Sequence, residues 1–182
     1  MQTNVDSGLT DCTYIPELRC CPMEPLAVGL DNIRTAVPVV REVALPTPSI
    51  RYLGTDEGDL WLKEENLQRL GSFKIRGVWN GLRRMTPEAR SRSVVTFSSG
   101  NFGLAFVWAA TRLGVPSRVI VSEAANPATV ARIRAERATV ETMRAADIFR
   151  ILEDESWRSW EESVLKPVGD ADVVAGAGTR TS

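Results

Sequence analysis

Between Ser93 and Met143 short apolar runs take turns with amphipathic stretches, and that order restricts the fold more than any other feature of the 182-residue chain. Ser93 to Phe97 and Arg118 to Val121 have strand length and apolar character, and Thr139 to Met143 fits a third strand. From Phe102 to Leu113 the residues Phe102, Ala105, Phe106, Ala109, Ala110 and Leu113 fall at offsets 0, 3, 4, 7, 8 and 11, one broad stripe along a helix. Gly114 and Pro116 stop that helix, and Pro127 opens another that runs to about Arg137. Strands that alternate with helices lie side by side through crossovers. The expected class is therefore α/β, with an open, mainly parallel twisted sheet flanked by helices.

The flanks are less regular. Residues 1–25 mix polar residues, cysteines and prolines without periodicity, which predicts a poorly ordered N-terminal arm ahead of a main unit over 26–182. A helix is expected around Leu30 to Thr35, after which Pro38, Pro46 and Pro48 impose extended backbone leading to a strand at Ile50 to Leu53. Asp56 to Asp59 reads as a hairpin turn, Leu60 to Lys63 as a strand, and Phe73 to Met85 as a helix with Ile75, Val78, Trp79 and Leu82 on one face. Ala146 to Val164 predicts one or two amphipathic helices, and Asp172 to Ala175 a last strand entering a turn at Gly176 to Thr179.

Composition removes several functions. A formal net charge of -1 supplies no basic stripe for nucleic acid. No stretch is long and apolar enough to span a bilayer, and the start lacks a basic region followed by an apolar run, so a cytoplasmic location is expected and a membrane is not. Cys12, Cys20 and Cys21 show no C-x-x-C spacing and the chain has no histidine, so no metal site is expected. Without histidine, proton transfer near neutral pH falls to Lys, a carboxylate, Tyr, Cys, a hydroxyl or a cofactor.

Three local patterns follow one another: Lys63-Glu64-Glu65-Asn66-Leu67-Gln68, Gly71-Ser72-Phe73-Lys74-Ile75-Arg76-Gly77, and Ser98-Ser99-Gly100-Asn101. A lysine attacks a carbonyl only after losing its proton, which desolvation or a helix N-terminus favours. The Ser-Ser-Gly-Asn turn precedes a helix, whose first amides form a ready anion site. In this order the patterns resemble those of the fold type II, tryptophan synthase beta-like enzymes that use pyridoxal phosphate (PLP), closest to serine/threonine dehydratases (threonine ammonia-lyases) and serine racemases. Ala125 to Thr129 with Ile133-Arg134, Pro167, and Asp172 to Thr179 extend the resemblance, which spans about Leu30 to Thr179.

The resemblance implies a small α/β subdomain at about 60–145 and β-elimination from an amino acid, L-serine or L-threonine, to a 2-oxo acid and ammonia. It makes Lys74 the Schiff-base lysine that also takes the α-proton, and Phe73 its water-excluding neighbour. Asn101 bonds the cofactor's ring hydroxyl, and Ser98, Ser99, Gly100 and Asn101 receive the substrate carboxylate. Ser99 stands where racemising relatives carry their second acid/base, so racemisation is the alternative activity; Asn66 and Gln68 shape the site. Departures from the family pattern are Phe102 in place of His, Leu104 in place of Gln, Val130 in place of Lys and Arg137 in place of Gly. Members of the family continue for well over a hundred further residues, including the glycine-rich loop for the cofactor phosphate. The chain is therefore expected to be an incomplete, truncated version of the fold with impaired activity, a homo-oligomer or half of a pair with a complementing chain, or a noncatalytic remnant acting as a binding module.

Overall fold

A computed structural model describes residues 27–53 and 60–181. Its centre is a four-stranded parallel sheet ordered β5-β4-β3-β6. The strands are β3 (Val94–Phe97), β4 (Ser117–Ser122), β5 (Thr139–Met143) and β6 (Ser163–Val164). Separate from it stands an antiparallel pair, β1 (Ser49–Tyr52) with β2 (Leu60–Lys63), in which Tyr52 faces Leu60. The turn expected at Asp56 to Asp59 lies outside the described residues, as does the expected arm at 1–25.

Seven helices accompany the strands among the described residues: α1 (Leu30–Arg41), α2 (Lys74–Arg84), α3 (Pro87–Ser91), α4 (Asn101–Leu113), α5 (Pro127–Ala135), α6 (Ala145–Glu153) and α7 (Ala171–Gly178). Local chemistry sets their ends. The Asn126 side chain accepts the Ala128 N–H ahead of Pro127, Asp170 accepts the Val173 N–H at the start of α7, and Gly114 closes α4 at a φ of 65°.

One face of the sheet, with Val94, Val119, Val121 and the adjoining Leu165, packs on α2 and α4, which bury Ile75, Val78, Leu82, Ala105, Phe106 and Ala109. The other face, with Val95, Phe97 and Ile120, is covered by Ile148, Ile151 and Leu152 of α6 together with Trp157 and Trp160. A parallel sheet covered on both sides explains why β3 is buried at all four residues and reads as a continuous apolar run.

Three expectations are corrected. The helix expected to stop at Thr35 continues through Pro38 to Arg41, because Pro38 lies on the exposed face while Ala36 and Val40 are buried beneath it, so packing outweighs the lost backbone bond. Asp172 to Ala175 is helix rather than strand, and Gly176 to Thr179 is the end of α7 passing into a 3-10 turn. Its glycines serve close packing: a β-carbon on Gly176 would lie 2.6 Å from the Arg76 carbonyl oxygen and 2.7 Å from Asn80 Cβ, and one on Gly77 would lie 2.5 Å from the Val173 carbonyl oxygen. Helices α2 and α7 therefore cross backbone against backbone. Within Ala146 to Val164 helix gives way at Glu153 to a 3-10 turn and then to β6, which adds to the sheet beside β3. The third expected strand forms as Thr139–Met143, and Arg137 ahead of it takes a φ of 63°.

Candidate functional site

Lys74 is the first residue of α2, and its amine lies 4.6 Å from the centroid of the Phe73 ring. It has no carboxylate partner among the described residues. The guanidinium of Arg180 lies over the same ring, 4.5 Å from its centre. The side-chain oxygen of Ser72, two residues before Lys74, is buried without a hydrogen-bond partner. An orphaned hydroxyl and an unpaired amine on neighbouring residues are the kind of polar groups that a ligand satisfies.

Residues Ser98 to Asn101 form the junction of β3 and α4. The Ser98 hydroxyl oxygen accepts the Gly103 N–H at 3.0 Å and the Gly100 N–H at 3.4 Å, which folds the turn over the helix start. Gly103 is needed there, since a β-carbon would sit 2.6 Å from the Ser98 carbonyl oxygen. The Ser99 hydroxyl accepts the Ser122 N–H at 2.9 Å, fastening the turn to the end of β4. The amides of Ser99, Asn101 and Phe102 have no hydrogen-bond partner among the described residues. They offer a positively polarised pocket to an anion. Helices α2 and α4, which carry the two halves of the site, pack together, with the Trp79 and Trp108 ring centres 6.3 Å apart. No hydrogen bond joins the Lys74 amine to Ser98, Ser99, Gly100 or Asn101.

A buried network fixes how α2 begins. Glu65, in the 3-10 turn after β2, takes bonds from Arg76 at both carboxylate oxygens, 2.8 and 2.9 Å, and from the Thr47 hydroxyl at 2.6 Å. Burial alone would raise the Glu65 pKa, but the bonds from Arg76 and Thr47 and the charges of Arg76 and Lys63 together lower it. Arg76 reaches the Leu45 carbonyl as well, and Gln68 clasps Leu45 from both sides, accepting its N–H at 3.0 Å and donating to its carbonyl at 2.7 Å. Gln68 thus shapes the loop before β1, while Asn66 is exposed. Glu65 and Arg76 were not singled out by sequence reasoning. Opposite charges inside two adjacent motifs are the only signal of the pair, and it gives no hint that both are buried.

No helix among the described residues is long and apolar enough to cross a membrane, and no group of His, Cys, Asp and Glu there is placed to hold a metal. A family model described as pyridoxal-phosphate dependent enzyme matches residues 40–179. The chain belongs to that family. It is 34% identical over 149 residues to the L-threonine ammonia-lyase of Thermotoga maritima, covering 80% of this chain and 36% of that protein. With the serine racemase of Homo sapiens it shares 36% identity over 127 residues, 66% of this chain and 37% of the relative. The crystal structure of serine racemase from Dictyostelium discoideum superposes with a TM-score of 0.71 at 31% identity, over 85% of this chain and 51% of that one. The chain therefore spans between about a third and a half of the length of these relatives. The α/β architecture is that of fold type II PLP enzymes.

Proposed function

We propose that this chain carries the cofactor lysine and the substrate-carboxylate turn of a PLP-dependent lyase that removes the β-hydroxyl of L-serine or L-threonine. The observation that supports it most is the Lys74 amine, without an ionic partner among the described residues and set against the Phe73 ring beside the orphaned Ser72 hydroxyl. When bound, pyridoxal phosphate supplies an electron sink for negative charge at the substrate α-carbon. In this reading Lys74 Nζ would hold the cofactor at its aldehyde, and the same nitrogen would take the substrate's α-proton. Phe73 keeps water from that amine, and Asn101 bonds the cofactor's ring hydroxyl. The turn of Ser98, Ser99, Gly100 and Asn101 receives the substrate carboxylate on the amides of Ser99, Asn101 and Phe102. Departure of the β-hydroxyl and hydrolysis then yield a 2-oxo acid and ammonia.

The same reading treats residues 26–182 as part of a PLP-dependent enzyme domain with a small α/β subdomain at about 60–145. Racemisation is the second reading. The Ser99 hydroxyl accepts a bond from Ser122 but donates to no acceptor among the described residues, which leaves its proton to give.

Mixing the purified chain with PLP, then reducing with borohydride, tests the proposal. A visible absorption band and a pyridoxyl adduct mapped to Lys74 are expected, both absent in Lys74→Ala. If wild type shows neither, the lysine assignment fails. With L-serine, release of ammonia supports the lyase, whereas D-serine as the sole product supports the racemase.

A further inference from the structure

A cleft of about 510 Å³ opens beside the start of α2, lined by Ser49, Trp61, Lys63, Glu65, Phe73 and Arg180. Its charges do not balance internally. Glu65 is spent on Arg76 and Thr47, which bond both of its oxygens. Lys63 donates to the Thr47 carbonyl at 2.6 Å, and its ammonium has further donors to give. Arg180 uses Nε on the Ala177 carbonyl at 3.1 Å and meets no carboxylate among the described residues, so its terminal nitrogens are free of an ionic partner. Two cations therefore share a cleft whose one carboxylate is committed elsewhere, while the rings of Trp61 and Phe73 supply apolar lining. A guanidinium with unused terminal donors, beside an ammonium, matches a carboxylate or phosphate.

The cleft is tied to the proposed reactive lysine by a shared ring. Lys74 Nζ and Arg180 Cζ lie 4.6 and 4.5 Å from the centre of the Phe73 ring, so they are at most about 9 Å apart, the sum of the two distances. We propose that Lys63 and Arg180 form an anion subsite that holds the negatively charged end of a molecule whose other end reacts at Lys74. The proposal rests on the reading of Lys74 given above. The anion is the second carboxylate of a β-hydroxy dicarboxylic amino acid, a substrate in place of L-serine or L-threonine; the cofactor phosphate, which the resemblance assigns to a glycine-rich loop of the family, is the competing occupant that the test separates from it.

Succinate and inorganic phosphate separate a substrate carboxylate from the cofactor phosphate when each is titrated into the full chain and the indole N–H signals of its five tryptophans are followed by NMR. The Trp61 signal is assigned from a Trp61→Phe variant. Succinate should shift it saturably, and Arg180→Gln and Lys63→Gln should each weaken that binding ten-fold or more, while Arg132→Gln, an exposed change on α5, should leave it as in wild type. A response to succinate assigns the subsite to a substrate carboxylate; a response to phosphate without one to succinate overturns that assignment. The proposal is overturned if neither anion shifts the signal, or if affinity in a folded Arg180→Gln chain equals that of wild type. Borohydride trapping with pyridoxal, which has no phosphate, reports the Lys74 assignment independently. An adduct on Lys74 without anion binding sinks the subsite alone.

Discussion

Arg137 adopts a φ of 63°, a left-handed backbone in which a β-carbon crowds the neighbouring carbonyl and costs a non-glycine residue roughly 1–2 kcal/mol. Glycine enters that region freely and would supply what the turn before β5 requires. Arg137→Gly should therefore stabilise the chain, by about 0.5–1 kcal/mol once the greater freedom of glycine in the unfolded state is subtracted. Calorimetry should show a melting temperature higher by about 1–4 °C. The Glu65–Arg76 pair carries a larger stake. Removing one partner strands the other in the interior, and Arg76→Leu should cost about 3–5 kcal/mol in a urea titration. The folded-state pKa of Glu65 is lowered from its ordinary value of 4.5, so its contribution is whole above that pH and is lost as pH falls through the lower folded value. Urea midpoints measured from pH 6 to 3 should drop for wild type, and drop less for Glu65→Gln, which starts out weaker.

At the scale of elements, the α2/α7 crossing depends on absent side chains. Gly176→Ala would drive a methyl into the Arg76 carbonyl and Asn80 Cβ, and overpacking of this kind costs about 1–3 kcal/mol. The variant should melt earlier and lose protection of α2 amides in hydrogen exchange. That crossing also explains what the sequence hid. The stretch from Ser93 to Met143 was readable because α4 is long, repeats its apolar residues at helical spacing and ends at Gly114, and because β3 and β4 are short, mainly apolar runs bounded by turns. Val173-Val174-Ala175-Gly176 has no such contrast: a helix buried by its neighbours looks like a buried strand when its residues are small or β-branched. Strand β6 has two residues, too few for any periodicity, and it takes its place from backbone pairing to β3. The motif residues around Lys74 and Ser98 were legible as a pattern in order along the chain. The Glu65 clamp was not, because burial of both partners arises only when the loop through Leu45 folds over them.

At the scale of the whole molecule, β1 and β2 pair only with each other among the described residues and display large apolar side chains on both faces. Leu53 is 83% exposed, Trp61 59% and Ile50 43%. Unpartnered strand edges and apolar patches promote association. The isolated chain should therefore give a mass above that of a monomer, rising with concentration, in size-exclusion light scattering, and Leu53→Lys with Leu60→Lys should reduce it. A monodisperse monomer with a single cooperative melt would contradict this prediction.

Helix α7 grips α2 through glycines, and α2 begins with the lysine on which the proposed chemistry turns. During synthesis residue 74 emerges roughly a hundred residues before residue 178 does. For all that interval the helix bearing the lysine lacks one of its supports, and its final orientation is set late, when the distant segment arrives.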